Sequence, residues 1–233
     1  MEQEKKVVII DYQLGNLFSV RQACNFIGYN AVITTDKKEL LKADYAILPG
    51  VGAFADAMKN LAQSDLVSPI KDFIASGRPF MGVCLGLQLL FTESEEFGMS
   101  KGLNIIEGTV KHFPGRNAAN EISKVPQIGW NKIFETKNQP WKNTPLRDCR
   151  SGDYMYFVHS FYVKPQSEKP VLSETTYGDL TYCSSIYQDN VFACQFHPEK
   201  SGMYGVEIYR KWFVDGLQQK IVSAGQAGDI ARD

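Results

Sequence analysis

A lone cysteine between small residues is the part of this sequence that could do chemistry most directly. Cys84 lies in the run Gly-Val-Cys-Leu-Gly at residues 82–86, after an apolar stretch and before a helix-like stretch from Leu85 to Phe91. Glycines on both sides permit a sharp strand-to-helix turn that exposes a nucleophilic side chain. A thiol at a helix N-terminus also gains thiolate character. The pattern predicts a nucleophilic cysteine; the alternative is a small buried thiol at an ordinary strand–loop–helix junction.

A nucleophilic thiol needs a base, and the sequence contains three histidines: His112, His159 and His197. His197 directly follows the apolar run 191–196 and is followed by a proline, which ends the strand. Glu199, two residues further on, could accept the other imidazole N–H and orient the ring, as the third member of a triad does. We therefore predict Cys84, His197 and Glu199 as the catalytic residues. His112 is assigned to the surface.

Acyl transfer also needs N–H donors that point at the oxyanion of the tetrahedral intermediate. The N–H of Leu85, directly after the nucleophile, is one candidate. The other candidates are Gly50, Val51 and Gly52, which follow the strand-like run 45–48. Glycine there permits unusual dihedral angles and a close approach of the backbone to a substrate. Taken alone, this run is more typical of a tight turn.

The elements that must position these residues alternate between buried strands and amphipathic helices in the first half of the chain. Such alternation predicts an α/β fold with a mostly parallel central sheet flanked by helices. Between about residues 104 and 197, short strands separated by Gly, Pro and Asn predict additional antiparallel hairpins. The polar segment 136–150 is predicted to be a surface loop. We predict a single domain over residues 1–233.

Composition excludes several function classes. The chain has 233 residues, of which 44% are hydrophobic and 22% charged, with a formal net charge of −1. No long basic stretch or membrane-length apolar run occurs, so binding to nucleic acid or membrane through bulk charge is not expected. Five scattered cysteines without a Cys-x-x-Cys pair argue against a disulfide framework and a zinc site. We expect a cytoplasmic protein with no metal or cofactor.

In this order along the chain, the motifs at residues 49–52, 82–88 and 197–199 resemble those of class I, triad-type glutamine amidotransferases, which have a flavodoxin-like fold. The resemblance implies that Cys84 attacks the side-chain amide of glutamine, that His197 shuttles the proton and that Glu199 orients His197. Ammonia then leaves, and water hydrolyses the glutamyl thioester.

The same resemblance assigns substrate-binding positions. Gly52, Gln88 and Glu96 match positions that hold glutamine in the family, and Ser160 and Phe161 would offer backbone contacts to the substrate. Glu96 could instead be one of several solvated acids in its segment. His159 is interpreted as a structural or substrate-positioning residue rather than as the base.

Three further strings, at residues 11–20, 125–131 and 156–161, look like those of the glutaminase subunits of imidazole glycerol phosphate synthases, enzymes of histidine biosynthesis. The resemblance spans about residues 7–215. The chain departs from the pattern at Gln13, where relatives often carry glycine, and at Phe161, where tyrosine is frequent. Neither departure touches the predicted triad.

This resemblance implies a partner, a (β/α)8-barrel cyclase subunit that uses the ammonia to make imidazole glycerol phosphate and AICAR. A sheltered route is needed because ammonia released into water would be protonated and lost. The predicted interface is apolar and aromatic at its centre and comprises Pro126, Gln127, Trp130, Asn131, Tyr156 and Lys200. Trp130 could instead be a core residue. The alternatives for function are a glutaminase serving another synthase, an unrelated cysteine hydrolase and a catalytically silent interaction module.

Overall fold

The computed structural model describes residues 5–116 and 124–229, with side chains described up to residue 216. The strands of this part of the chain are β1 (Val7–Ile10), β2 (Ala31–Thr34), β3 (Tyr45–Gly50), β4 (Phe80–Cys84), β5 (Phe91–Ser94), β6 (Ser100–Lys101), β7 (Ile106–His112), β8 (Gln127–Lys132), β9 (Phe134–Glu135), β10 (Tyr154–His159), β11 (Phe161–Pro165), β12 (Val171–Tyr177), β13 (Leu180–Gln188) and β14 (Val191–Cys194). The helices are α1 (Leu17–Phe26), α2 (Lys37–Leu41), α3 (Phe54–Gln63), α4 (Val67–Ala75), α5 (Leu85–Leu89) and α6 (Gly202–Asp229), with a 3-10 helix at Pro198–Lys200.

The central sheet has a parallel half and a mostly antiparallel half. Strands β2, β1, β3, β4 and β14 are parallel neighbours in that order. Beyond β14 the order continues β13-β11-β7-β5-β6, and antiparallel pairs predominate. Strands β8 and β10 form a separate antiparallel pair. This mixed α/β architecture confirms the predicted fold class.

The parallel half is buried on both faces because helices cover each side of it. Strands β1, β3, β4 and β14 consist entirely of buried residues, as their continuous apolar runs predict. Helix α3 buries Phe54, Ala57 and Leu61, which share one face at a spacing of three to four residues. On the other side, Phe213 of α6 stacks on Tyr29 with ring centroids 3.9 Å apart. The carboxyl ends of β3, β4 and β14 therefore meet at one fixed edge.

Two local predictions differ from the structure. The helix after Cys84 ends at Leu89, and Phe91 instead begins a strand that pairs in parallel with Ile106. The predicted surface loop 136–150 covers a core, because Trp141 is buried and its indole N–H donates to the Leu172 carbonyl at 2.8 Å. Leu146 is buried as well. Apolar residues within the polar segment supply long-range packing that its average composition conceals.

None of the helices in the described residues has both the length and the apolar character needed to cross a membrane.

Candidate active site

Cys84 occupies a strained turn at the carboxyl end of β4. Its backbone has φ 54° and ψ −108°, a conformation that few non-glycine residues adopt, and its side chain is only 5% exposed. A Cβ on Gly86 would lie 1.7 Å from the Leu48 carbonyl oxygen, and one on Gly82 would lie 3.0 Å from Ala193 Cβ. Glycines therefore let the turn pack tightly between β3 and β14. This geometry is that of a nucleophile elbow, as the sequence predicts.

His197 and Glu199 lie beside this turn because β14 is the parallel neighbour of β4. His197 Nδ1 donates to Glu199 Oε1 at 2.8 Å, and both side chains are almost fully buried. Within the described residues, His197 Nε2 makes no hydrogen bond of normal geometry. The hydrogen bond between a catalytic base and its nucleophile is often long in a ligand-free active site and shortens only when substrate binds. The carboxylate thus orients the ring with Nε2 left for proton transfer at the thiol.

Electrostatics favours a protonated His197. Burial lowers the pKa of His197, but the Cys84 sulfur and the Glu199 carboxylate more than offset burial and raise this pKa to about 10. The folded pKa of His197 lies above the usual value of about 6.5. Below that pH, the charged His197 therefore contributes its full stabilisation to the fold. The contribution is lost as the pH rises through 10. A charged imidazolium beside the sulfur is suited to protonate a leaving amine.

His159 is a neutral partner in a buried network rather than a second base. Its Nδ1 donates to the Phe161 carbonyl at 2.8 Å, and its Nε2 lies 3.2 Å from the Tyr182 hydroxyl. Burial, opposed by the Phe161 hydrogen bond and reinforced by His197, lowers the pKa of His159 to about 4. The imidazole therefore stays uncharged at neutral pH and supports the wall of the site.

This low pKa predicts a loss of stability in acid. The folded pKa of His159 lies below its unfolded value of about 6.5, so the unfolded chain binds more protons between pH 6.5 and pH 4. We expect the free energy of unfolding to fall by roughly 3 kcal/mol across this window because of His159. The free energy of unfolding, measured by urea denaturation from pH 4 to 8, should have a shallower slope against pH for His159→Gln than for wild type. The exposed His112→Gln serves as the control, and equal slopes in wild type and His159→Gln would contradict the prediction.

A cavity of 480 Å³ opens over the Cys84 side chain. Its wall brings together Val51, Gly52, Cys84, Leu85, Gln88, Glu96, Phe97, His112, Pro126, Val158, His159, Ser160 and Phe161. The volume is within the range of small-molecule sites. Every residue predicted from the sequence to bind the substrate therefore lies at this cavity.

Among the predicted substrate residues, Gln88 contributes a side-chain amide, whereas Ser160 and Phe161 contribute backbone carbonyls. Gln88 Nε2 donates to the Phe161 carbonyl at 3.0 Å and to Gln195 Oε1 at 3.1 Å. The Ser160 carbonyl already accepts the Phe113 N–H at 3.0 Å. The Phe161 carbonyl also accepts from His159 Nδ1, so both of its lone pairs are used within the protein, whereas the Ser160 carbonyl can still accept a second hydrogen bond.

Glu96 is not the solvated acid that its charged segment also allowed. It is buried, and its Oε2 accepts the Phe54 N–H at the start of α3 at 2.6 Å. Burial raises the pKa of Glu96, with opposing contributions from the Phe54 hydrogen bond and His112 and a further raising one from Asp56. The carboxyl both caps α3 and faces the cavity, so it fixes the segment that follows the predicted oxyanion residues.

The predicted oxyanion residues border the nucleophile from the neighbouring strand. Gly50 ends β3 and is paired in register with Cys84. Val51 is partly exposed in the cavity, and Gly52 has a φ of +103°, which favours glycine. The Leu85 N–H lies at the start of α5. The two predicted sources of N–H donors therefore lie at adjacent strand ends, beside the cavity.

The predicted partner residues do not all share one face. We define the β8–β10 face as Ile128, Trp130, Tyr154, Tyr156 and Val158, which alternate outward along the two paired strands. Trp130 is 56% exposed and contacts Tyr156 edge-on at 6.1 Å, and Lys200 Nζ lies 5.7 Å from the Tyr156 ring centroid. Trp130 is therefore not a core residue.

Two predicted interface residues, Gln127 and Asn131, lie off the β8–β10 face. Gln127 is only 2% exposed and its Oε1 lies 2.9 Å from the Tyr182 hydroxyl. Asn131 lies on the same face of β8 as Gln127, and its side-chain amide donates to the Thr176 carbonyl at 2.9 Å. Strand alternation turns both side chains away from Trp130. Pro126 lies at the cavity wall, as Val158 does, so the β8–β10 face continues into the site.

Several site residues were missed by the sequence reasoning. Gln195 is fully buried and its Nε2 donates to Cys84 Sγ at 3.6 Å. An amide inside the otherwise apolar run 191–196, two residues before His197, was the available signal. His112, predicted at the surface, is exposed but also lines the cavity beside Phe97, which is 90% exposed. No local pattern distinguishes these two residues from ordinary surface residues.

Comparison with known proteins places this geometry in a family. The model of the family "Glutamine amidotransferase class-I" matches residues 8–215. The chain is 46% identical over 207 residues to imidazole glycerol phosphate synthase subunit HisH of Geobacter metallireducens, covering 88% of this chain and 96% of that protein. It is 47% identical over 207 residues to the HisH subunit of Syntrophotalea carbinolica, covering 88% and 98% respectively.

A solved structure shares the fold at low sequence identity. The structure of PurLQS from Thermotoga maritima aligns with a TM-score of 0.66 and 17% identity, covering 91% of this chain and 98% of that one. This likeness supports the architecture alone. The family match and the two relatives go further, and they show that this chain belongs to the class I glutamine amidotransferases and, within them, to the HisH subunits of imidazole glycerol phosphate synthase.

Proposed function

We propose that this chain hydrolyses glutamine to glutamate and ammonia through a thioester on Cys84, as the glutaminase subunit of an imidazole glycerol phosphate synthase in histidine biosynthesis. The observation that carries the proposal is the buried His197–Glu199 pair beside a strained cysteine at the floor of a 480 Å³ cavity. Family membership supplies the substrate, since HisH relatives match almost the whole chain.

The mechanism follows from the proton positions. The Cys84 sulfur attacks the amide carbon of glutamine, and the tetrahedral oxyanion is held by the N–H groups of Leu85 and the Gly50–Gly52 segment. His197 gives its Nε2 proton to the leaving nitrogen, which departs as ammonia. His197 then takes a proton from water, which attacks the thioester and releases glutamate. Glu199 holds the ring throughout, because its carboxylate fixes Nδ1–H.

We further propose that the partner is a (β/α)8-barrel cyclase subunit that docks on the β8–β10 face. Three exposed aromatic or aliphatic side chains, Ile128, Trp130 and Tyr154, form an apolar surface of the kind that interfaces bury. Val158 belongs to this face and also lines the cavity. Ammonia released at Cys84 would therefore leave toward the partner rather than into water.

Glutaminase activity is expected to be weak in the isolated chain and to rise about 100-fold when the cyclase and its nucleotide ligand bind. One missing oxyanion donor costs on the order of 3 kcal/mol of barrier, and partner binding would complete the hole. The measurement is glutamate formation by the chain alone and in the complex.

Two variants sharpen this experiment. Trp130→Ala should weaken cyclase binding at least 10-fold and lose activation at equal protein concentrations. Phe26→Ala is the matched control, because Phe26 is also exposed but ends α1 and is not part of the β8–β10 face. Equal glutamate formation with and without the cyclase would contradict coupled activation.

The same assay separates the alternatives. Absence of ammonia release from glutamine under all conditions would leave an unrelated cysteine hydrolase or a silent interaction module.

We also propose that the core of about residues 7–215 acts as one domain, supported by the continuous sheet. A cytoplasmic location is proposed as well, since the five cysteines carry free thiols.

A further inference from the structure

A buried hydroxyl without a partner lies against the predicted oxyanion segment. Tyr12 is 0% exposed, and its hydroxyl has no hydrogen-bond partner among the described residues. Buried hydroxyl groups are normally paired, so an unpaired one calls for an explanation. It contacts Gly50: a Cβ on that glycine would lie 1.9 Å from Tyr12 Oη and 3.2 Å from Tyr12 Cζ.

The surroundings of Gly50 define two sides of the segment. Buried Tyr12 and half-buried Gly15, both from the loop after β1, approach Gly50, and a Cβ on Gly15 would lie 3.5 Å from Gly50 Cα. Val51 lies on the other side and lines the cavity, whereas Tyr12 does not reach it. The phenol is thus behind the oxyanion segment as seen from the substrate.

We propose that Tyr12 is a positioning residue for the oxyanion hole: its hydroxyl donates to the Gly50 carbonyl when the Gly50–Val51 peptide presents the Val51 N–H to the cavity. A peptide unit is planar, with its N–H and C=O pointing in opposite directions. Turning the N–H toward the substrate therefore turns the carbonyl toward the interior. Tyr12 supplies a donor at that place, and Gly50 has no side chain to obstruct the rotation.

Three further observations agree with this role. Burial, and to a lesser extent the Cys84 sulfur, raise the pKa of Tyr12, so the phenol keeps the proton that it must donate. The Tyr12 carbonyl accepts the Asn60 side-chain amide of α3 at 3.0 Å, which anchors the residue. Glu96 fixes the Phe54 N–H beyond the other end of the segment. The Gly50–Val51 peptide thus lies between two neighbours that are held in place.

The inference rests on the proposed glutaminase activity and is tested by Tyr12→Phe in the complex with the cyclase. We expect kcat for glutamate formation to fall between about 3- and 10-fold, the contribution of one neutral hydrogen bond, with KM for glutamine within 2-fold of wild type. The melting temperature should not fall, because the variant removes a hydroxyl that is unpaired in the resting protein.

Alkylation of Cys84 by iodoacetamide distinguishes the oxyanion from the thiol, because this substitution forms no oxyanion. Its rate should be unchanged in Tyr12→Phe. Tyr45→Phe is the matched control: the Tyr45 hydroxyl donates to the Phe213 carbonyl at 2.9 Å, so its loss should lower the melting temperature and leave kcat intact.

An unchanged kcat, or a parallel loss of alkylation rate in Tyr12→Phe, would overturn the inference while leaving the glutaminase assignment in place. A wild-type complex that forms no glutamate would instead overturn the proposed function itself.

Discussion

Replacing Cys84 with alanine should reduce glutamate formation from glutamine by about 10⁴-fold or more, the order of loss that removal of a covalent nucleophile causes. No thioester can form without the sulfur. In the complex with the cyclase, synthesis from added ammonium salts should continue at the wild-type rate, because the cyclase then needs no glutaminase. The two rates are measured on the same preparation, with glutamine and with ammonium chloride as nitrogen sources.

Cys149→Ala provides the matched control for this experiment. Cys149 is a partly buried free thiol that does not line the cavity, so its loss should change neither rate. Loss of both activities in Cys84→Ala would indicate a damaged complex and count against the assignment. Retained glutaminase activity would exclude Cys84 as the nucleophile.

Glu199→Gln should lower kcat by about 10²- to 10⁴-fold while the structure of the active site changes little. The reason is that an amide at this position can stabilise the wrong tautomer of the His197 imidazole. The Glu199 carboxylate raises the pKa of His197, so its neutralisation lowers that pKa. The imidazolium that protonates the leaving nitrogen is then lost at a lower pH. The alkaline limb of the kcat/KM profile should accordingly move to lower pH.

Glu207→Gln controls for a simple change of charge, since Glu207 pairs with Arg210 at 3.0 Å on the outside of α6. Its pH profile should match that of wild type. If Glu199→Gln kept the wild-type profile and rate, Glu199 would not orient the base.

The fold, and the meeting of Cys84, His197 and Glu199 at adjacent strand ends, were predictable because their signals are local. Alternation of apolar runs with helical spacing identified the parallel half of the sheet, and small residues around Cys84 identified its turn. Where the sequence misled, composition concealed distant packing. The polar segment 136–150 contains Trp141, whose indole finds its acceptor at Leu172. A motif likewise grouped Gln127 with Trp130, although strand alternation places them on opposite faces.

The sequence by itself determined which residues could do the chemistry: a thiol between glycines, and an imidazole followed by a carboxylate at the end of a strand. Only the tertiary structure decided what surrounds them. Gln195 meets Cys84, and Tyr12 meets Gly50, across stretches of chain that no local pattern spans. The physical reason is that a strand-to-helix turn is set by neighbouring residues, whereas a hydrogen bond between strands depends on the order and register in which the whole sheet assembles.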